Sequence, residues 1–214
     1  MLELKDVTIK YNRQIILHSC NCKLPSQSII VAKNNINTDI IARTLAGFHP
    51  VDEGEIHLEE NIISKKEKSS KKVFFVIPEN YNKLWMNYRL QEIPRLMKSA
   101  FQQSALCQKY NIPPQASIDS LTIFQRLIYF ISLGQSLNRT IFIFDQPTKY
   151  FDFEDLEQFY NFLNDDFSDA NYLIFTNRIE RIFTMLSKPI YQIDSTKLLA
   201  LKGGEKNVDE QRYA

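Results

Sequence analysis

The chain has 214 residues, 44% of them apolar and 24% charged, which suffices for a buried core and excludes a disordered chain. A net charge of +1 excludes a nucleic-acid binder driven by bulk charge, and three cysteines (Cys20, Cys22, Cys107) without a CxxC pair exclude a disulfide framework or a zinc site. Glycine occurs only five times, where a share of about 7% would supply roughly 15. No GxGxxG or GxxxxGK[ST] pattern can be drawn through the five, so a glycine-built phosphate cradle is excluded.

The shortage has two readings. The 25 isoleucines, 15 phenylalanines and 10 tyrosines fit an AT-rich coding sequence, in which glycine codons are scarce. Alternatively, the glycines are missing where a function once needed them. His18, His49 and His57 make no metal-ligand spacing. The opening residues MLELKDVTIK carry no apolar signal region, and the apolar runs at 73–77 and 141–144 are far short of a membrane span, which predicts a cytoplasmic protein.

In chain order, residues 2–9 alternate apolar and polar, and a second apolar patch at 15–17 follows. The pattern predicts antiparallel strands around a turn near Asn12 and Arg13. Residues 28–32 read as a short buried strand. A polar stretch over 33–37 leads into a helix through Ala46, capped by Asn37 or Thr38, ended by Gly47 and followed by Pro50. Strands are predicted at 55–58 and 72–77, with the lysine-rich stretch 65–72 as a solvated loop between them. Residues 89–108 have helical periodicity, which Pro94 should bend or restart. After a break at 112–115, residues 121–137 read as a buried helix. Strands at 140–144 and 172–176 then alternate with helices at 154–163 and 179–186, and residues 190–193 read as the last strand. The alternation predicts an α/β fold with a mostly parallel sheet, an N-terminal antiparallel β part and a helical insertion lobe over about 85–137. One domain is predicted over 1–201, with a frayed tail at 202–214.

Residues 141–148, Ile-Phe-Ile-Phe-Asp-Gln-Pro-Thr, resemble the Walker B segment of an ABC transporter ATPase. Beginning 24 residues before Asp145, Leu-Thr-Ile-Phe-Gln at 121–125 occupies the place of the LSGGQ signature, with Arg126 after it. Asp152 sits where the D-loop ends, and Asn177 follows a strand at the place of the switch histidine. The N-terminal half agrees. Leu-Glu-Leu-Lys-Asp-Val at 2–7 with Tyr11 is similar to the family's first strand and adenine-stacking aromatic. Arg-Thr-Leu-Ala-Gly at 43–47 and Asp-Glu-Gly-Glu-Ile at 52–56 look like the family's RTLAG and SGEI passages, and Glu79 falls at the Q-loop glutamine. The resemblance spans residues 1–195 and implies a P-loop-NTPase-like fold.

Counting back from Gly47 without a gap, the Walker A lysine position falls on Thr38 and the metal-ligating hydroxyl on Asp39. The loop glycines fall on Ala32, Asn35 and Asn37. Thr38 cannot neutralise phosphate, and Asp39 sets a carboxylate beside it. Lys33 is the one nearby cation available to stand in. Gln146 replaces the glutamate that polarises attacking water and cannot accept its proton at neutral pH. Asn177 replaces the histidine, Glu79 replaces the glutamine, and Ile123 and Phe124 put bulk where signature glycines approach a partner's phosphate. No catalytic residue is intact. Tyr11, Gln125, Asp145 and Asp152 match the motifs, either as nucleotide-binding remnants or as structural groups, with Asp145 capping neighbouring backbone.

The expectation is a degenerate ABC-type subunit, a pseudo-ATPase that needs no cofactor. It would act as non-hydrolysing partner to a membrane permease, an active ABC ATPase or both, as a homo- or heterodimer at the inner face of the membrane. Leu84, Trp85, Met86 and Tyr88 are the candidate lining of the groove that receives the permease. Two alternatives stay open. One is a residual Mg-ATP-using subunit with Lys33 and with Asp39 and Asp145 as metal ligands, and the other is a non-transport regulatory module.

Overall fold

The protein is described from a computed structural model, which covers residues 2–32, 38–58, 61–62, 72–76, 88–97, 104–177 and 181–202. Strands β1 (Leu2–Tyr11) and β2 (Gln14–Leu24) form the expected hairpin. Its two-residue loop is Asn12 and Arg13, both left-handed at φ +49° and +64°, a turn whose twist matches that of the flanking strands. Strand β4 (Glu53–Leu58) pairs antiparallel with β1, and the two-residue β5 (Asn61–Ile62) completes a sheet of order β2-β1-β4-β5. The irregularity near the start of β4 requires glycine: at Gly54, φ +81°, an added Cβ would lie 2.2 Å from the Asp6 carbonyl oxygen.

The second sheet has six strands in the order β10-β9-β3-β8-β7-β6. They are β3 (Ser28–Ala32), β6 (Val73–Val76), β7 (Ile141–Asp145), β8 (Asn171–Thr176), β9 (Ile190–Asp194) and β10 (Lys197–Lys202). All neighbours pair parallel except β9 and β10. Its inner strands are buried on both faces, which is why they read as continuous apolar runs rather than alternations. Ile30, Ala32, Ile143 and Phe175 face α1 (Thr38–Leu45) and the antiparallel sheet, whereas Ile29, Val31, Phe144 and Ile174 face the remaining helices.

On that second side lie α2 (Ile93–Leu96), α3 (Ala105–Lys109), a 3₁₀ turn at Ile118–Ser120 and α4 (Ile123–Ser136). Helix α5 (Phe153–Asn161) runs on into a π-helical segment, Phe162–Asp166, and α6 (Arg181–Met185) follows β8. Buried Phe124, Phe142, Phe144, Phe159, Phe162, Phe167 and Tyr172 fill the space between sheet and helices, mostly edge-to-face. Gly134 lets α4 settle on the sheet, because a Cβ there would meet the Phe142 and Phe74 rings at 2.7 and 2.8 Å.

Three expectations change. The helical stretch at 89–108 consists, among the described residues, of the short helices α2 and α3. Pro94 stands in the first turn of α2, where its missing N–H is no loss. Ser104 starts α3 afresh by accepting the Cys107 amide at 3.0 Å. The chain also adds β10 after the predicted last strand, turning through Ser195 at φ +56°, so Lys202 ends a strand rather than opening a tail. Thr38 begins α1 as foreseen, but its hydroxyl bonds a distant strand end instead of capping the helix. Asn37 and the lysine-rich loop before Lys72 lie outside the described residues. Among the described residues, no helix is long and apolar enough to cross a membrane.

Candidate functional site

Parallel strands β3, β8 and β7 lie side by side, and their C-terminal ends share one edge of the sheet, where α/β folds commonly bind ligands. Asp145 ends β7, Gln146 follows it, Asn177 follows β8, and Thr38 opens α1 a short step after β3. Three of these side chains join. The Thr38 hydroxyl donates to Asp145 Oδ1 at 2.9 Å, and Gln146 Nε2 donates to Thr38 Oγ1 at 3.0 Å. The direction is set by chemistry. An ionised carboxylate only accepts, so the single Thr38 proton goes to Asp145 and the threonine oxygen must accept from residue 146. Thr38 is 2% exposed and Asp145 8%, so the relay is shielded from water.

Gln146 reaches inward because its own backbone is left-handed, φ +47°, with its N–H donated to the Phe175 carbonyl at 2.8 Å. Such a conformation is uncommon for glutamine and persists only where the surroundings enforce it.

The other candidate residues have separate partners. Asp39 accepts from Arg43 Nε at 2.6 Å, one helical turn on, and the Arg43 guanidinium lies 5.5 Å from the centre of the Phe75 ring. The two candidate metal carboxylates thus engage different groups, Asp39 a cation and Asp145 a hydroxyl. Asn177 is exposed past β8. Tyr11 is 37% exposed at the hairpin turn, where the preceding Lys10 amide donates to Asp52. Among the described residues, no group of three or more His, Cys, Asp or Glu side chains could hold a metal ion. Lys33, Glu79, Leu84, Trp85 and Met86 lie outside the described residues. Tyr88 is described and is 39% exposed.

The start of α4 is built differently from the expectation. Phe124 does not crowd the surface; it is fully buried, 5.3 Å from the Tyr110 ring and 6.2 Å from that of Phe151. Ile123 packs half-buried on the same core. What engages the helix start is a reciprocal cap. Thr122 Oγ1 accepts the Gln125 amide and Gln125 Oε1 accepts the Thr122 amide, each at 3.1 Å. The Gln125 carboxamide also donates to the Tyr110 carbonyl at 3.2 Å. Asp152 is likewise a cap, accepting the Asp155 amide at 2.8 Å at the start of α5.

Two arrangements escaped sequence reasoning. The relay through Thr38 joins residues 107 and 108 positions apart, and no local pattern announces it. The Asp39–Arg43 pair was legible, since acid four residues before base is a standard helix-surface pairing.

No protein-family model matches the chain, and no curated protein matches it in sequence. Solved structures do match. The ATP-binding cassette MJ1267 of an ABC transporter superposes with a TM-score of 0.78 at 11% identity, covering 99% of this chain and 93% of that one. The chain has the fold of an ATP-binding cassette. A nucleotide-free ATP-binding cassette from an ABC transporter gives 0.77 at 11% identity, covering 100% and 94% of the two chains. The cassette MJ0796, a dimer bound to ADP and phosphate after hydrolysis, gives 0.69 at 16%, covering 95% of this chain and 100% of its own. Identities this low speak for the cassette fold alone.

Proposed function

We propose that this cassette is a pseudo-ATPase: a degenerate ABC-type subunit that does not hydrolyse ATP and serves as partner in a membrane transporter complex. The observation that carries the reading is the Gln146–Thr38–Asp145 relay. In P-loop NTPases a Ser or Thr hydroxyl and the strand-end aspartate hold Mg²⁺. Here, among the described residues, the hydroxyl and the strand-end aspartate bond each other, and Gln146 bonds the hydroxyl. The contact also suits Thr38 to the hydroxyl position, one residue from the gapless count, a register in which the lysine position would fall on Asn37. Either register leaves the phosphates without the lysine. Gln146 cannot take a proton from water, and Asn177 offers no imidazole. The cluster therefore does not fit Mg-ATP, and no hydrolytic step is assigned to it.

A partner surface supports the scaffold role. A groove of about 310 Å³ runs between the end of α1, β6 and the helical side, lined by Phe48, Phe74, Phe75 and Met97 together with the cations Arg43 and Arg139. Phe48 is 56% exposed and Met97 38% exposed there, which suits burial under a short amphipathic helix of a permease.

Calorimetric titration with Mg-ATP tests the nucleotide claim, with no saturable heat expected. Recovery of a permease together with a second, active ATPase from native membranes tests the partner claim. Micromolar Mg-ATP binding would instead favour a residual ATPase, and purely soluble partners would favour a regulatory module. The residual-ATPase reading is weakened by Asp39, whose charge already belongs to Arg43.

A further inference from the structure

The relay has a polarity that bears on metal ions. Thr38 Oγ1 gives its only proton to Asp145, and the side from which it accepts faces the Gln146 amide nitrogen at 3.0 Å. A divalent cation uses a hydroxyl oxygen through a lone pair in the same way, at about 2.0–2.1 Å for magnesium. The N–H occupies one of the two lone pairs of the oxygen, and the partial positive charge of the amide hydrogens opposes a cation approaching the other. An acid at 146 would reverse the situation. Two carboxylates would compete for the single Thr38 proton, leaving an excess of negative oxygen around one hydroxyl in a shielded pocket.

We propose that the Gln146 carboxamide stands in for a divalent cation at this edge, keeping Thr38 and Asp145 joined in a metal-free state. Among the described residues, the amide is the group that opposes a metal at Thr38. This inference deepens the pseudo-ATPase reading and rests on it, but it concerns the metal alone. Gln146 makes this contact from a left-handed backbone, φ +47°.

The test is a titration of Mn²⁺, without nucleotide, into the full chain and its variants, read by the loss of the free-ion paramagnetic resonance signal. The wild-type chain is expected to hold no Mn²⁺ at millimolar concentrations. Gln146→Glu is expected to bind one ion, tighter on the order of tenfold or more as the charge of the donor set rises. The double variant Gln146→Glu with Asp145→Asn is expected to lose that gain. Should Gln146→Glu fail to fold, Gln146→Ala removes the donor without adding charge and is still expected to bind Mn²⁺ more tightly than wild type. The proposal is overturned if the wild-type chain binds Mn²⁺ as well as Gln146→Glu does. It is equally overturned if neither variant exceeds wild type, or if the gain survives loss of the Asp145 carboxylate. Binding of metal-free ATP by the wild type would sink the pseudo-ATPase reading and leave this one standing. Binding of Mn²⁺ by the wild type, with ATP still ignored, would do the reverse.

Discussion

Thr38 illustrates how much one buried hydroxyl can organise. It receives from an amide and gives to a carboxylate, so its removal takes a hydrogen bond from each. Thr38→Val keeps the shape and deletes the oxygen. It is expected to lower the unfolding free energy by about 1–3 kcal/mol, the cost of an unsatisfied buried polar group, seen as a shifted denaturant midpoint at unchanged slope. A second residue-scale cluster joins Asp166 to the Lys109 ammonium at 2.6 Å and to the Tyr110 hydroxyl at 2.6 Å. Partial burial pushes the Asp166 carboxyl upward, but Lys109 and Tyr110 outweigh it and hold it below its ordinary value of 3.8. Burial and the same carboxylate push the Tyr110 hydroxyl up. A depressed acid is worth most above its unfolded-state pKa. This contribution is therefore complete at neutral pH and is lost as pH falls from about 4 through the lower folded value. Lys109→Met is expected to flatten that acid limb, measured as unfolding midpoints from pH 6 down to pH 2.5.

At the scale of elements, motif residues turn out to terminate helices. Gln125 and Asp152 match signature and D-loop positions, yet each occupies the first turn of a helix or its cap. Thr122→Ala should cost about 1 kcal/mol by opening the capping box, read by thermal unfolding. The far end of the same helix packs through Gly134. Gly134→Ala would press a methyl group into the Phe142 and Phe74 rings and is expected to destabilise by roughly 1–3 kcal/mol, although alanine is the better helix former. Helix α1 ends by a different device. Gly47, at φ +77°, lets the Phe48 amide reach the Arg43 carbonyl at 2.8 Å.

The whole molecule recasts the glycine shortage. Among the described residues, nine non-glycine positions adopt left-handed backbone: Asp6, Asn12, Arg13, Ser19, Gln27, Asn111, Asn138, Gln146 and Ser195. Turns and strand irregularities, most of them away from the Thr38 edge, thus do without glycine, six of the nine on Asn, Asp or Ser; Asn and Asp tolerate the conformation best. Scarcity is a habit of the whole chain and cannot by itself signal a lost site. The weight shifts to changes of chemistry, such as Gln146 and Asn177, which compositional scarcity of glycine does not produce. A ligand at a hundred times its dissociation constant would raise stability by about 2.7 kcal/mol. Millimolar Mg-ATP is expected to leave the thermal midpoint of this chain unmoved.

Local chemistry alone determined most of the strand and helix sequence of this protein. Apolar runs such as 141–144 mark strands covered on both faces, and Gly47 and Thr122 mark helix ends within a few residues of themselves. The antiparallel β10 escaped because its turn at Ser195 lacks the glycine that usually announces a hairpin. Motif spacing pointed to the cassette fold, but it left open whether Asp145, Gln125 and Asp152 serve a ligand or the fold. Tertiary structure decided their contacts: Asp145 meets a hydroxyl, while Gln125 and Asp152 meet backbone amides. It also turned Phe124 inward. Periodicity specifies which residues are apolar along one element, whereas the partner of a buried polar group depends on the three-dimensional meeting of strand end and helix start.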